Sequence, residues 1–148
     1  MKKSLFIITF LLLATIMYGQ SNQEIDKFIA KDKADIGNAA AFVLVASGVQ
    51  LQDGSASAIK YINSNNWFKT EVKEGDSLRT DEASYLIMKA FNQKGGIMYS
   101  ILPGPRYALK ELKSLKMVDE EKDPSKIISG EEFMILLSEY LSWKEENK

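Results

Sequence analysis

A gap-free internal repeat is the strongest constraint on how this 148-residue chain folds. Residues 58–91, AIKYINSNNWFKTEVKEGDSLRTDEASYLIMKAF, align with residues 108–141, ALKELKSLKMVDEEKDPSKIISGEEFMILLSEYL, at a constant offset of fifty. In each copy, apolar residues three and four apart precede a polar loop, and a second periodic apolar segment follows it. This pattern predicts two helix–loop–helix units.

An incomplete third copy lies upstream. Residues 35–48, DIGNAAAFVLVASG, resemble the second helix of each unit, with Ile36 at the position of Leu78. A helical hairpin cannot cover its own apolar face, so the units are expected to pack together as one all-α domain. The predicted organisation is about two and a half units: a segment with a short helix at 21–34, a half repeat at 35–54, a repeat at 55–93, a joint at 94–105 and a repeat at 106–148.

Local sequence signals predict where several helices begin and end. Ser129 with Glu132 forms a capping box at one helix start, and Thr80 is the expected N-cap of the equivalent helix in the other copy. Gly95-Gly96 are expected just after the end of that helix, because glycine favours helix termination. Pro105 suits the first turn of the helix that follows the joint.

The N-terminus has the pattern of a secretory signal peptide, assigned to residues 1–20. Lys2 and Lys3 precede the mostly apolar residues 5–17, after which the chain becomes polar. As a helix this run would span roughly 20 Å, short of the ~30 Å hydrocarbon core of a bilayer. The expected product, cleaved after Gly19 or Ser21, is exported to the periplasm or cell surface without an integral membrane span. An uncleaved anchor is the alternative.

The absence of histidine and cysteine restricts the chemistry available to the chain. It has no imidazole or thiolate to act as a nucleophile or metal ligand, and no disulfide to support the fold. Its 19 basic and 20 acidic residues are mixed along the sequence, so no basic cluster predicts nucleic-acid binding. No cofactor is expected, and an enzyme would have to use carboxylates, lysine, tyrosine or serine.

Two patterns keep other activities open as alternatives. Ser57 and Lys60 form an S-x-x-K sequence at a predicted helix start, which is compatible with a small wall-directed hydrolase but also with a helix cap beside a solvated lysine. The loops 71–82 and 121–132 each run from acid to acid over twelve residues, as an EF-hand loop does. Both lack glycine at the sixth position, so calcium binding is a minor alternative.

The segments 78–83, LRTDEA, and 128–133, ISGEEF, each place an aliphatic residue just before a predicted helix start. This layout, over about residues 35–141, resembles the S-layer homology module of bacterial envelope proteins. The resemblance implies helical hairpins packed around a pseudo-threefold axis that attach proteins to cell-wall polymers without catalysis. In that family the start of the capped helix has a sequence of the type I-T-R-A-E-F, and the arginine that follows its threonine helps bind the acidic polymer. That place is taken here by Thr80, Gly130 and Asn38, and Arg79 lies one position early.

The candidate ligand- or partner-binding residues are two arginines and two tyrosines. Guanidinium groups near helix starts favour anions, although pairing with nearby acids such as Asp81, Glu82 or Glu111 is the alternative. Tyrosines at helical spacing are also common in cores. The set is Arg79, Arg106, Tyr99 and Tyr107.

The joint between the repeats contains an unusual apolar run. It is expected to fold back as a buried strap, with a partner-binding patch as the alternative. The run consists of Ile97, Met98, Tyr99, Ile101 and Leu102. Together these features favour a non-catalytic, exported envelope protein that binds a cell-wall polymer or another envelope protein.

Overall fold

The computed structural model describes residues 22–147, and this part of the chain is helical without strands. The all-α class is therefore confirmed, whereas the predicted signal peptide lies outside the described residues. Seven helices are present in this range: α1 (22–29), α2 (Ile36–Ala46), α3 (Gly54–Ser64), α4 (Thr80–Ala90), α5 (Ile97–Ile101), α6 (Pro105–Ser114) and α7 (Gly130–Glu146).

Three extended segments meet at the centre of the domain and form a closed ring of backbone hydrogen bonds. The Ala34 N–H donates to the Ile128 carbonyl at 2.8 Å, and the Leu78 N–H donates to the Ala34 carbonyl at 2.9 Å. The Ile128 N–H donates to the Leu78 carbonyl at 3.1 Å and closes the ring. All three residues are buried. This central ring joins the segments that lead into α2, α4 and α7.

The central ring corrects the register predicted for the upstream copy. Ala34, rather than Ile36, shares the position of Leu78, so the copy is shifted by two residues. As a result, Asp35 and Arg79 are the equivalent N-caps of α2 and α4. The predicted alignment paired residues with similar aliphatic side chains. The hydrogen bonds of the ring join backbone groups instead, so alanine is accepted at one of its three positions. Asn38 is therefore not equivalent to Thr80, contrary to the predicted register.

The helices α3 and α6, each of which precedes a long loop (65–79 and 115–129), end in the same way. Asn66 and Lys116, which are offset by fifty, both adopt left-handed backbone angles, with φ of 50° and 60°. The next residues, Trp67 and Met117, each donate the backbone N–H to the carbonyl five residues earlier at 3.0 Å. The similarity between the two sequences thus corresponds to matching backbone geometry at the ends of α3 and α6.

The helix boundaries agree with the sequence signals at two positions and differ at two others. The Ser129–Glu132 capping box is present, with both hydrogen bonds near 3 Å, and Pro105 occupies the first position of α6. However, the N-cap of α4 is Arg79 rather than Thr80. Helix α4 ends at Ala90, close to the predicted end near 91–93, but the left-handed residue beyond it is Asn92, with a φ of 48°, rather than a glycine.

The helices form three pairs, which are called the first unit (α1 and α2), the second unit (α3 and α4) and the third unit (α6 and α7). They close a circle in which the second helix of each unit packs on the first helix of the next. The α2 helix packs on α3, and α4 packs on α6. The circle closes where α7 meets α1: the Phe28 ring makes an edge contact with Phe133, with centroids 5.9 Å apart. Phe28 also contacts Phe42 of α2 at 5.0 Å, so α1 bridges the first and last units. This arrangement places the central ring inside a continuous core.

Candidate binding surfaces

The Arg79 guanidinium is held by an acid of its own helix. Its Nε and Nη2 donate to the two carboxylate oxygens of Asp81 at 3.0 and 2.9 Å, and Glu82 lies 3.8 Å from Nη2. The hydrogen bonds to Asp81 raise the pKa of Arg79. The charge of Arg79 is therefore largely balanced within the first turn of α4, which is the pairing that the sequence offered as an alternative to anion binding.

The other three predicted residues lie on α5 and α6, which pack against each other. Arg106 is exposed, and no ion pair of its side chain is found among residues 22–147. Tyr107 is half-buried, with the Lys110 ammonium 5.6 Å from its ring centroid. Tyr99 is buried against Tyr85, and burial raises its pKa. Arg106 is thus the most available of the four, and Tyr99 belongs to the core.

The predicted buried strap is wrong for four of its five residues. Only Tyr99 is buried, whereas large fractions of the other side chains are exposed: Ile97 77%, Met98 50%, Ile101 67% and Leu102 56%. The reason is that residues 97–101 form a helix instead of an extended strap. At helical spacing, residues at i, i+1, i+4 and i+5 share one face, so burying Tyr99 turns the other four outward.

A groove that the sequence did not predict lies where the second and third units meet. Thr80 at the start of α4 faces the loop that carries Lys116 and Asp119, and α7 forms the remaining wall with Ile135 and Glu139. The cavity has a volume of about 270 Å³. Because it combines an aliphatic wall with charges of both signs, it can offer donors and acceptors to a polar ligand while covering that ligand's apolar parts.

The base of this groove is fixed by an ion-pair network around Glu132. Lys122 Nζ lies 2.6 Å from Glu132 Oε1, and Lys126 Nζ lies 3.1 Å from the same oxygen. The hydrogen bond from Lys122 is the main cause that lowers the pKa of Glu132 to about 2. Since Glu132 also caps α7 through the Ser129 N–H, it has a structural role. The charges left to meet a ligand are those of Lys116, Asp119 and Glu139.

The residues that suggested a hydrolase or a calcium site have local structural roles. Ser57 Oγ accepts a hydrogen bond from the Asp53 N–H at 3.1 Å at the start of α3, and Lys60 is exposed on the same helix. Glu82, the last acid of one loop, accepts from the Arg79 N–H at 3.0 Å. Within residues 22–147, no three acidic side chains converge in a way that could hold a metal ion.

Comparison with known proteins assigns no family to this chain. No family model matches the sequence, and searches of curated proteins and of solved structures find no match either. In the described part of the chain, no helix has both the length and the hydrophobicity of a transmembrane span.

Proposed function

We propose that this chain is a non-catalytic, exported envelope protein whose packed helical units, similar to S-layer homology modules, bind a cell-wall polymer. The observation that carries the proposal is the mixed-charge groove between the second and third units. The groove is lined by Ile128, which belongs to the central ring, and by Thr80, which lies two residues after the ring residue Leu78. Lys116 and Glu139 also line it. Packing of the second unit on the third therefore builds the site.

The character of the groove favours a polymer rich in hydroxyl and charged groups. Lys116, Asp119 and Glu139 are exposed, so they can exchange water for ligand contacts without a large desolvation cost. The aliphatic wall at Ile135 and Leu136 can pack against the apolar face of a sugar ring. Another envelope protein is the second candidate partner, because Ile135 is 53% exposed and a protein side chain could also cover it.

Sedimentation with purified cell-wall material tests the proposal. The double variant Lys116→Gln, Asp119→Asn removes one charge of each sign from the groove and keeps the net charge. Because a hydrogen bond to a charged group contributes about 1.5–3 kcal/mol, we expect the affinity for wall material to fall roughly tenfold or more. The matched control Lys60→Gln, Glu71→Gln changes exposed charges outside the groove and should sediment like the original protein.

The same experiment separates the other hypotheses. Equal retention of the groove variant and its control would contradict a role for the groove. Retention that is unchanged in Arg79→Ala, Arg106→Ala would remove the two arginines from the binding site. Release of soluble wall fragments during incubation would favour the hydrolase alternative over binding without catalysis. Retention that is abolished by stripping proteins from the wall material would point to an envelope protein as the partner.

A further inference from the structure

Four of the nine large apolar side chains that are exposed in the described part of the chain lie in or next to α5. We define the α5 surface as the side chains of Ile97, Met98, Ile101 and Leu102, each at least half exposed. Isolated exposed aliphatic residues are ordinary, but four within the six residues 97–102 form a patch of the kind that marks an interaction site. No contact within the fold requires these side chains, because Tyr99 alone anchors α5 in the core.

The sequence that flanks the α5 surface carries only basic charges over a long stretch. Between Glu82 and Glu111 there is no acidic residue, although the whole chain has 20 acidic residues and a net charge of −1. The charged residues in that interval are Lys89, Lys94, Arg106 and Lys110. The nearest acid, Glu111, lies beside Gly96 at the start of α5, where its Oε1 is 3.0 Å from the point that a Cβ on this glycine would occupy.

A cleft of about 360 Å³ opens directly beside the α5 surface. Tyr99 and Ser100 of α5 form one side of it, and Lys89, Asn92 and Lys94 form the other. The cleft is lined by two lysines and by no acidic residue. The apolar α5 surface therefore lies next to a cleft lined by lysines. A partner that has an apolar interior and an anionic boundary could contact both.

We propose that the α5 surface docks this protein on a bilayer that contains anionic lipids. The four aliphatic side chains enter the interfacial region, and Lys89 and Lys94 face the phosphates of the headgroups. Interfacial binding of this kind combines buried apolar area with attraction between basic residues and anionic lipids. It requires no membrane-spanning helix and is independent of the groove proposed to bind the wall polymer.

The form of the surface favours a bilayer over a protein partner. A stable protein–protein interface buries about 800 Å² on each partner, and its strongest contacts are typically tryptophan, tyrosine and arginine. Four protruding aliphatic side chains, three on the five-residue helix α5 and one just after it, are too few for such an interface. A lipid surface needs only a local apolar projection with a basic rim, which is what α5 and the lysine cleft provide.

Vesicle co-sedimentation tests this inference. Vesicles of phosphatidylglycerol mixed with phosphatidylcholine should bind the protein, and vesicles of phosphatidylcholine alone should bind it much more weakly. The variant Ile97→Ser, Ile101→Ser should lose about tenfold or more in partition, because it removes apolar side chains that enter the interface. The variant Lys89→Gln, Lys94→Gln should lose roughly tenfold, and only with the anionic vesicles.

Matched controls use similar residues elsewhere on the surface. Val45→Ser, Ile127→Ser changes two aliphatic side chains that are 60% and 38% exposed, and it should bind the vesicles like the original protein. All variants are produced as residues 1–148 and compared in the same N-terminal form, so the apolar residues 5–17 contribute equally. Circular dichroism verifies that each variant is folded.

Three results would overturn the inference. The first is equal partition of the α5 variant and its control. The second is the same binding to neutral and anionic vesicles. The third combines two observations: the original protein does not bind vesicles, and it forms a dimer that the variant Ile97→Ser, Ile101→Ser converts to a monomer. That result would assign the α5 surface to self-association.

Discussion

Replacing Gly130 with alanine is expected to destabilise the domain by about 3 kcal/mol or more. A Cβ at this position would lie 1.7 Å from the Phe28 carbonyl oxygen and 2.6 Å from its carbonyl carbon. Both are backbone atoms of α1, so no side-chain rotation can relieve the contact. The substitution must therefore separate α1 from α7 and open the circle of helices at the point where it closes.

Chemical denaturation of the Gly130→Ala variant measures this loss as a fall in the free energy of unfolding. Gly75→Ala is the matched control, because a Cβ at Gly75 meets no atom within 4 Å and that glycine lacks a positive φ. The control should be as stable as the original protein or slightly more so. Equal stability of the two variants would contradict the close packing of α1 on α7.

Truncating Tyr140 to alanine should cost about 4 kcal/mol, in the range of other large aromatic truncations in cores. Tyr140 is fully buried, and its ring lies 5.0 Å from that of Phe91 and 5.9 Å from that of Trp143. Its hydroxyl donates to Gln93 Oε1 at 2.9 Å, just beyond the end of α4. Removing the ring leaves a cavity between α4 and α7 that the aromatic neighbours cannot fill.

The conservative variant Tyr140→Phe separates packing from hydrogen bonding. It keeps the ring and removes the hydroxyl, so it should cost only about 1 kcal/mol. Thermal or denaturant unfolding of both variants gives the comparison. A Tyr140→Ala variant that loses no more stability than Tyr140→Phe would show that the ring contributes little to the core, against the contacts described above.

Sequence patterns predicted the helical class and the capped start of α7 because those features are encoded locally. The offset of fifty between Asn66 and Lys116 reappears as matching backbone angles. The Ser129–Glu132 capping box forms as expected. The upstream copy was misaligned by two residues because side-chain character guided the alignment, whereas backbone hydrogen bonds define the position of Ala34.

The binding surfaces were harder to predict because they depend on contacts between distant segments. The groove joins Thr80 to Lys116 and Ile135, which come from two units, so no single motif indicates it. The exposure of the joint followed from its secondary structure: a buried strap was expected from the apolar character of the run, but the helix buries Tyr99 and exposes the residues on the opposite face. A test of residues 97–102 for helical spacing would have found this face.

The three helical units form one closed domain around the ring of Ala34, Leu78 and Ile128, and the second and third of these units form the groove. Native-state hydrogen exchange of these three amides tests it most directly. Although all three residues lie outside the helices, each N–H is buried and hydrogen-bonded across units. We predict that the three amides exchange only through global unfolding and with the same free energy. Exchange of Ala34 at a clearly lower free energy than Leu78 and Ile128 would contradict the closed ring.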